Sequence, residues 1–479
     1  MPNFSNASTF QSRREVIFSG RDHQDPYSDL QWSRLKPQGN WAIRITGFVM
    51  RKAFRKMCSR ITFDQVSFEQ AMETLSPDTL VVLSPTHRSL MDFVVCSYLC
   101  FEHPELKISI PYIAADLQIG NLPFLGWFLK QTYAFYLKRG RGKADPELNR
   151  RIRQLVEDQQ TLEMFIEGTR SRARQCLKPK RGLLRALQQT GVSCALLPIT
   201  INYDRLPEEK ALVKELYGGP KPLMRMRSLI KWIGELVRGE IVVGRVHMAC
   251  GQPVLLDPDS DVHQVSLGVV EQLQKHYVVS TFHLEAFLRH QPELVQDWNL
   301  DVATLTRWIE ARGGTVIESD LKDFSTVDAV TEWTYRNQWN HWFFGDLKQL
   351  FPENSRVSHY LENNCFLNHP LQRPSSEEAP SEALQHMIFT LFEPLNHAYT
   401  RLMEVISVEG HIAVSHPKAF VAEHPDCFLP MVEEALAHLL ESRVLIKMPE
   451  EAGFARGPAW AEAAGQYTKT LKQQASALG

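Results

Sequence analysis

Apolar and polar positions follow two rhythms along this chain, and the change of rhythm divides it. Between about residues 62 and 255, short apolar runs at 80–83, 107–113, 162–166, 194–202 and 241–248 alternate with stretches of helical spacing. Runs of that length read as buried strands, and their alternation with helices predicts an α/β fold: a mostly parallel sheet flanked by helices. Upstream, Trp41, Ile45, Phe48 and Val49 fall at helical spacing, with Arg44, Arg51, Lys52, Arg55 and Lys56 between them. That pattern predicts a basic amphipathic helix over 41–57, suited to a membrane interface or to packing with its charges in water. Gly47 weakens that helix slightly. Beyond about 275 the spacing becomes helical and rich in Trp, Phe, His and Leu, with one helix over Asp301–Gly314 and another over Met431–Leu440. Pro370 to Glu382 reads as a linker. Three parts result: a polar N-terminus with its helix (1–61), an α/β domain (62–275) and a mainly helical C-terminal domain (276–479).

Composition narrows the class. With 479 residues, 44% hydrophobic and 23% charged, the chain has the make-up of a globular protein with a large core. Its net charge of −2 argues against nucleic acid as a partner. The 8 Cys are scattered without a C-x-x-C pair, which predicts reduced thiols in a cytoplasmic setting. No apolar run approaches the roughly 18–20 residues of a membrane span. Neither the polar N-terminus nor the final Ala-Leu-Gly reads as an address signal, so any membrane contact is expected to be peripheral.

Candidate chemistry gathers where the strands end. Ser84-Pro-Thr-His-Arg-Ser-Leu-Met-Asp92 follows the first run and offers a His with an Asp five positions on. An imidazole beside a carboxylate can take a proton from a hydroxyl, while the carboxylate fixes the tautomer and stabilises the imidazolium. Alone, this spacing is one that chance supplies. Phe165-Ile-Glu-Gly-Thr-Arg-Ser-Arg172 follows the third run. It suits a hydroxylated phosphate, with a Gly that lets backbone approach a ligand and an Arg to grip the anion. It equally suits a local Glu167–Arg170 ion pair at a turn. Cations cluster at 138–143 and again from Arg170 to Arg185, and Arg is well shaped to hold phosphate. The apolar stretch Asn121 to Leu137, interrupted by Pro123, Gly126 and Lys130, suits a hydrophobic channel, an interfacial surface or plain core.

Taken in order, His87-x4-Asp92, Tyr133 to Arg139, Phe165 to Arg172 and Leu197-Pro-Ile-Thr-Ile-Asn-Tyr-Asp-Arg205 resemble the four blocks of the glycerolipid acyltransferases. The resemblance is nearest to the branch acting on glycerol 3-phosphate and dihydroxyacetone phosphate, and it covers about 75–255. It implies that 62–275 is an acyltransferase-type catalytic domain. It implies His87 as general base with Asp92 as partner, Arg139, Glu167, Gly168 and Arg170 on the acceptor and its phosphate, and Pro198 on the acyl-donor side. Three positions depart from the pattern: Tyr133 stands where Gly opens the second block, Lys138 replaces an Arg, and Thr169 stands where Gly is frequent.

The reaction implied is transfer of a fatty acyl group from acyl-CoA or acyl-carrier protein to the sn-1 hydroxyl of glycerol 3-phosphate. It calls for no cofactor and no metal, and it places the protein at the cytoplasmic face of a membrane. Dihydroxyacetone phosphate or lysophosphatidate is the alternative acceptor. A non-catalytic membrane scaffold is the alternative of a different class. A serine hydrolase is disfavoured because no G-x-S-x-G elbow occurs.

Overall fold

Five parallel strands carry the centre of the molecule, and their carboxyl ends share one edge. The computed structural model of the protein describes residues 28–29, 40–116, 131–137, 146–219, 226–344, 356–367, 382–412, 417–448 and 453–465. Strand β1 (Ser28–Asp29) and helix α1 (Trp41–Met57) lead into β2 (Cys58–Phe63), α2 (Gln65–Glu73), β3 (Leu80–Pro85) and α3 (Asp92–Glu102). β4 (Tyr112–Asp116), β5 (Ala134–Leu137), α4 (Pro146–Glu157), β6 (Leu162–Glu163), α5 (Gly182–Gln188) and β7 (Cys194–Tyr203) follow. The sheet region closes with α6 (Glu209–Leu216), α7 (Met226–Arg238), β8 (Gly244–Cys250), β9 (Val254–Leu256) and α8 (Val262–Lys275).

The sheet order is β1-β2-β8-β7-β3-β6-β4-β5, with β9 also on β7. Strands β7, β3, β6, β4 and β5 run parallel to one another, whereas β8 and β9 pair antiparallel with β7. The sheet is therefore mixed but mostly parallel, as the alternating pattern predicts. β7 is buried at all ten positions, which is why its sequence is a near-continuous apolar run. Pro198 is tolerated inside it because it sits between the segment paired with β9 (194–196) and the segment paired with β8 (199–203).

Several boundaries differ from the sequence reading for identifiable reasons. The run at 107–113 becomes a strand only from Tyr112, because a 3₁₀ turn at Pro104–Leu106 and a left-handed Lys107 precede it. The run at 162–166 pairs only at Leu162–Glu163 and then turns, with the Gly168 N–H closing on the Phe165 carbonyl at 2.9 Å. The run at 241–248 starts as strand at Gly244, a residue at φ +80°.

Helix α1 spans 41–57 as its periodicity predicts, capped by the Asn40 side chain accepting from the Ile43 N–H and closed by Arg55 and Lys56. Gly47 lies where α1 meets α3: an added Cβ would run into the Phe101 ring, so the close crossing favours glycine. The opposite face leaves Trp41, Ile45, Phe48 and Val49 exposed, at 57%, 50%, 58% and 47%.

Past the sheet, α9 (Thr281–Arg289), α10 (Val302–Glu310), α11 (Ala329–Arg336), α12 (Glu382–Glu409) and α13 (Leu429–Glu441) dominate. Short sheets join them: β10 (Val278–Ser280) with β11 (Thr315–Ile317), and β12 (His411–Ile412) with β13 (Leu445–Lys447) and β14 (Phe454–Arg456). One apolar cluster runs from Ile43 through the sheet to Phe454, so these helices share the sheet's core. The linker expected at 370–382 lies almost wholly outside the described residues.

Candidate active site

The edge formed by the carboxyl ends of β3, β6 and β7 is where α/β sheets collect ligands. His87 stands two residues past β3, Glu167 four past β6, and Tyr203 is the last residue of β7. The His87 Nδ1 lies 3.1 Å from Asp92 Oδ2. An ionised carboxylate only accepts, so Nδ1 carries the proton and Nε2 holds the lone pair. The imidazole stacks on Phe165, with centroids 4.1 Å apart and planes 25° apart, which fixes its plane.

Asp92 is fully buried and opens α3, where the helix N-terminus favours a negative charge. Its Oδ2 also accepts from the N–H groups of Arg88 (2.6 Å) and Ser89 (2.7 Å), and its Oδ1 from the Tyr203 hydroxyl (2.8 Å). Burial and the nearby Asp92 charge hold the Tyr203 phenol well above its ordinary value, so it stays a donor.

Glu167 and Arg170 are both placed beside the His87 loop, but they do not pair with each other. Glu167 is fully buried and takes the Arg88 guanidinium at 2.8 and 2.9 Å, together with the N–H groups of His87 (3.3 Å) and Leu177 (3.2 Å). Burial pushes this carboxyl up, while the Arg88 guanidinium and the His87 N–H oppose the rise. Arg88 itself is raised well above its ordinary value: burial lowers it, and Glu167, Tyr277 and Cys176 together more than offset the loss. The Arg88 Nε reaches the Tyr277 hydroxyl at 3.0 Å, so a residue just past the sheet braces the loop.

Arg170 is gripped by Glu208 (3.0 Å) and Glu215 (2.9 Å), and Glu215 also takes Arg172 (3.0 Å). Glu208 accepts in addition from the Ser89 hydroxyl (2.9 Å) and the Leu90 N–H (2.7 Å), which joins the first and third blocks. Gly168 adopts φ +68°, a conformation that favours glycine, and the stem of Lys180 lies where its side chain would be. The structure thus brings His87, Asp92, Glu167, Gly168 and Arg170 together. Pro198 stays inside the sheet, in register with Ser84 on β3 rather than at the edge. Arg139 and Lys138 lie outside the described residues.

Tyr133 has a backbone reason to be unusual. It sits at φ +68°, in the left-handed region, so a glycine is the natural occupant there. Here a tyrosine adopts it and stacks on Tyr112 at 4.6 Å. Sequence reasoning passed over Arg88, Glu208, Glu215 and Tyr277; only Arg88, inside the first block, carried any signal. Among the described residues, the side chains that gather at metal-ligand distance are His397, Asp426 and Cys427, none of them at this edge.

Comparison with known proteins adds an independent finding. Residues 67–202 match the family described as Acyltransferase. Over 224 residues the chain is 29% identical to a dihydroxyacetone phosphate acyltransferase of Homo sapiens, covering 45% of this chain and 32% of that protein. Over 234 residues it is 29% identical to a glycerol-3-phosphate acyltransferase of Xanthomonas campestris pv. campestris, covering 47% of this chain and 25% of that protein. The chain thus spans about a third or less of the length of these curated relatives. A crystal structure of the 1-acyl-sn-glycerophosphate (LPA) acyltransferase PlsC from Thermotoga maritima aligns with TM-score 0.28 and 17% identity. That alignment covers 56% of this chain and 92% of that one.

Proposed function

We propose that this chain, which carries an acyltransferase-family domain over residues 67–202, is an O-acyltransferase that moves a fatty acyl group from a thioester to the sn-1 hydroxyl of glycerol 3-phosphate. The observation that carries this reading is the His87–Asp92 pair at the strand edge, with Nδ1 held at 3.1 Å from the carboxylate so that Nε2 is left to accept a proton. On this reading Nε2 takes the hydroxyl proton as the oxygen attacks the thioester carbonyl. A tetrahedral oxyanion forms and collapses with loss of the thiolate, and the imidazolium returns the proton. A thiol of pKa about 8.5 leaves readily, so no covalent acyl-enzyme and no serine nucleophile are needed. Ser89 serves to orient, with its hydroxyl on Glu208.

On the same reading, Arg139 and Arg170 face the acceptor's phosphate, Glu167 and Gly168 shape its side of the site, and Pro198 belongs to the donor's side. The acyltransferase domain is taken as 62–275, with 276–479 covering and bracing it. The donor is acyl-CoA or acyl-carrier protein. We place the protein on the cytoplasmic face of a membrane, supported by the exposed apolar face of α1 and by its exposed cations Arg44, Lys52, Arg55 and Lys56. No helix among the described residues is long and apolar enough to cross a membrane.

The test is to supply labelled acyl-CoA or acyl-carrier protein with glycerol 3-phosphate, dihydroxyacetone phosphate or lysophosphatidate in lipid vesicles and to identify the product. The expected product is the 1-acyl glycerol 3-phosphate, abolished by His87→Ala with the fold intact. Turnover by purified His87→Ala refutes the base assignment, and product from lysophosphatidate alone refutes the acceptor.

A further inference from the structure

The sequence places many cations after the third strand, yet a phosphate dianion needs positive charge that no carboxylate has already taken. Most of these cations are spent or committed elsewhere. Arg88 is buried against Glu167, Arg170 is held by Glu208 and Glu215, and Arg172 by Glu215 and, at 3.6 Å, by Glu433. An anion approaching Arg170 or Arg172 meets the repulsion of Glu208 and Glu215 along with the attraction of the guanidinium. Arg174 is 1% exposed and turns inward to the Tyr203 carbonyl at 2.7 Å. Lys178 lies in the field of Glu434.

Lys180 differs from all of these. Like Arg181 and Arg185 it is exposed, and among the described residues none of the three forms an ion pair with a carboxylate; what sets Lys180 apart is its place against the turn after β6. Its backbone N–H donates to the Ile166 carbonyl at 2.7 Å, next to the Phe165 ring that stacks on His87. Its stem fills the notch over Gly168: a Cβ built there would stand 2.7 Å from Lys180 Cγ and 3.2 Å from its Cβ. A left-handed glycine therefore makes room for this lysine at the turn that follows β6, one residue from the carboxylate holding the His87 N–H. A lysine ammonium is a compact point charge with three donors, well able to hold a phosphate without a planar partner.

We propose that Lys180 is an uncompensated cation that binds the phosphate of the acyl acceptor beside Arg170, with Gly168 leaving the space its stem needs and with Glu208 and Glu215 positioning Arg170 and Arg172. This rests on the acyltransferase reading for the identity of the ligand, and its test separates the two. Glycerol 3-phosphate and inorganic phosphate are titrated into the full-length protein by calorimetry, and acyl transfer to glycerol 3-phosphate is measured in parallel. Lys180→Gln is expected to weaken binding of both anions at least tenfold and to raise the KM for glycerol 3-phosphate similarly. The kcat and the KM for acyl-CoA are expected to stay near wild type. Lys180→Arg is expected to keep most of the affinity, Gly168→Ala to weaken it by displacing the stem, and Lys322→Gln, an exposed lysine in a different part of the fold, to leave it unchanged. Wild-type affinity in Lys180→Gln overturns the inference, as does an equal loss in Lys322→Gln. A wild-type protein that binds the anions through Lys180 but transfers no acyl group overturns the acyltransferase reading instead.

Discussion

Replacing Tyr203 by Phe removes a single oxygen from the hydrogen-bonded frame around His87. Tyr203 is 1% exposed, ends β7, and donates to Asp92 Oδ1 at 2.8 Å. The other carboxylate oxygen has three donors, at 2.6, 2.7 and 3.1 Å, so the two oxygens are not equivalent. With Phe at 203 the ring still fills its place, but Oδ1 loses the phenol in a site that water does not reach. A hydrogen bond to a charged group is worth about 1.5–3 kcal/mol net, and the folded state should lose about that much. The effect on catalysis is smaller in energy, because the Arg88 and Ser89 N–H groups still aim Oδ2 at the imidazole. Loss of about 1.4 kcal/mol of imidazolium stabilisation corresponds to about a tenfold fall in kcat. Urea unfolding followed by tryptophan fluorescence gives the first number. Initial rates at saturating donor and acceptor, normalised to folded protein, give the second, and both KM values are expected to hold. A variant with wild-type stability and wild-type kcat would show that the phenol merely sits beside Asp92. A rate loss that vanishes on normalisation would confine its role to folding.

Three further outcomes follow from contacts elsewhere. Arg88→Met leaves the fully buried Glu167 carboxylate without its guanidinium, so unfolding should become easier by about 3–5 kcal/mol; adding Glu167→Gln should recover much of that, and an equal or larger loss in the double variant would contradict a buried ion pair. Burial, aided by Arg174, holds the His283 imidazole down at about 3, while its Nε2 donates to the Asp204 carbonyl at 2.9 Å. Below about pH 6.5 the unfolded chain binds a proton there that the folded one does not, so stability falls with pH. His283→Gln, which keeps an N–H for that carbonyl, should gain on the wild type by about 1.4 kcal/mol per unit from pH 6.5 downward; parallel stability curves would refute the assignment. Phe48 is 58% exposed on α1, and burying the rest of its ring in a lipid interface is worth about 1–1.5 kcal/mol, so Phe48→Glu should weaken co-sedimentation with anionic vesicles about tenfold or more. Unchanged sedimentation would remove α1 from the membrane contact.

By itself the sequence determined the elements whose signal is local. Helix α1 appears over 41–57 as its periodicity demands, and β3 and β7 nearly match the runs 80–83 and 194–202, because a long apolar run has nowhere to go but the middle of a sheet. It also placed His87 and Asp92 together, since a five-residue separation across the start of a helix keeps both at one strand end. Tertiary structure decided what no spacing along the chain contains. Glu167 and Arg170 look like a pair, yet one faces Arg88 and the other faces Glu208 and Glu215, because the fold folds separate loops onto the same edge and buried charges take the partners that best satisfy them. Tyr133 is an odd residue in a block until its φ of +68° shows that the backbone, not the ring, sets the requirement there. Lys180 is one cation among many until the sheet brings its stem into the notch over Gly168. Local pattern fixes which segments are strands and helices, while charge pairing and close approach depend on which distant segments the sheet order brings into contact.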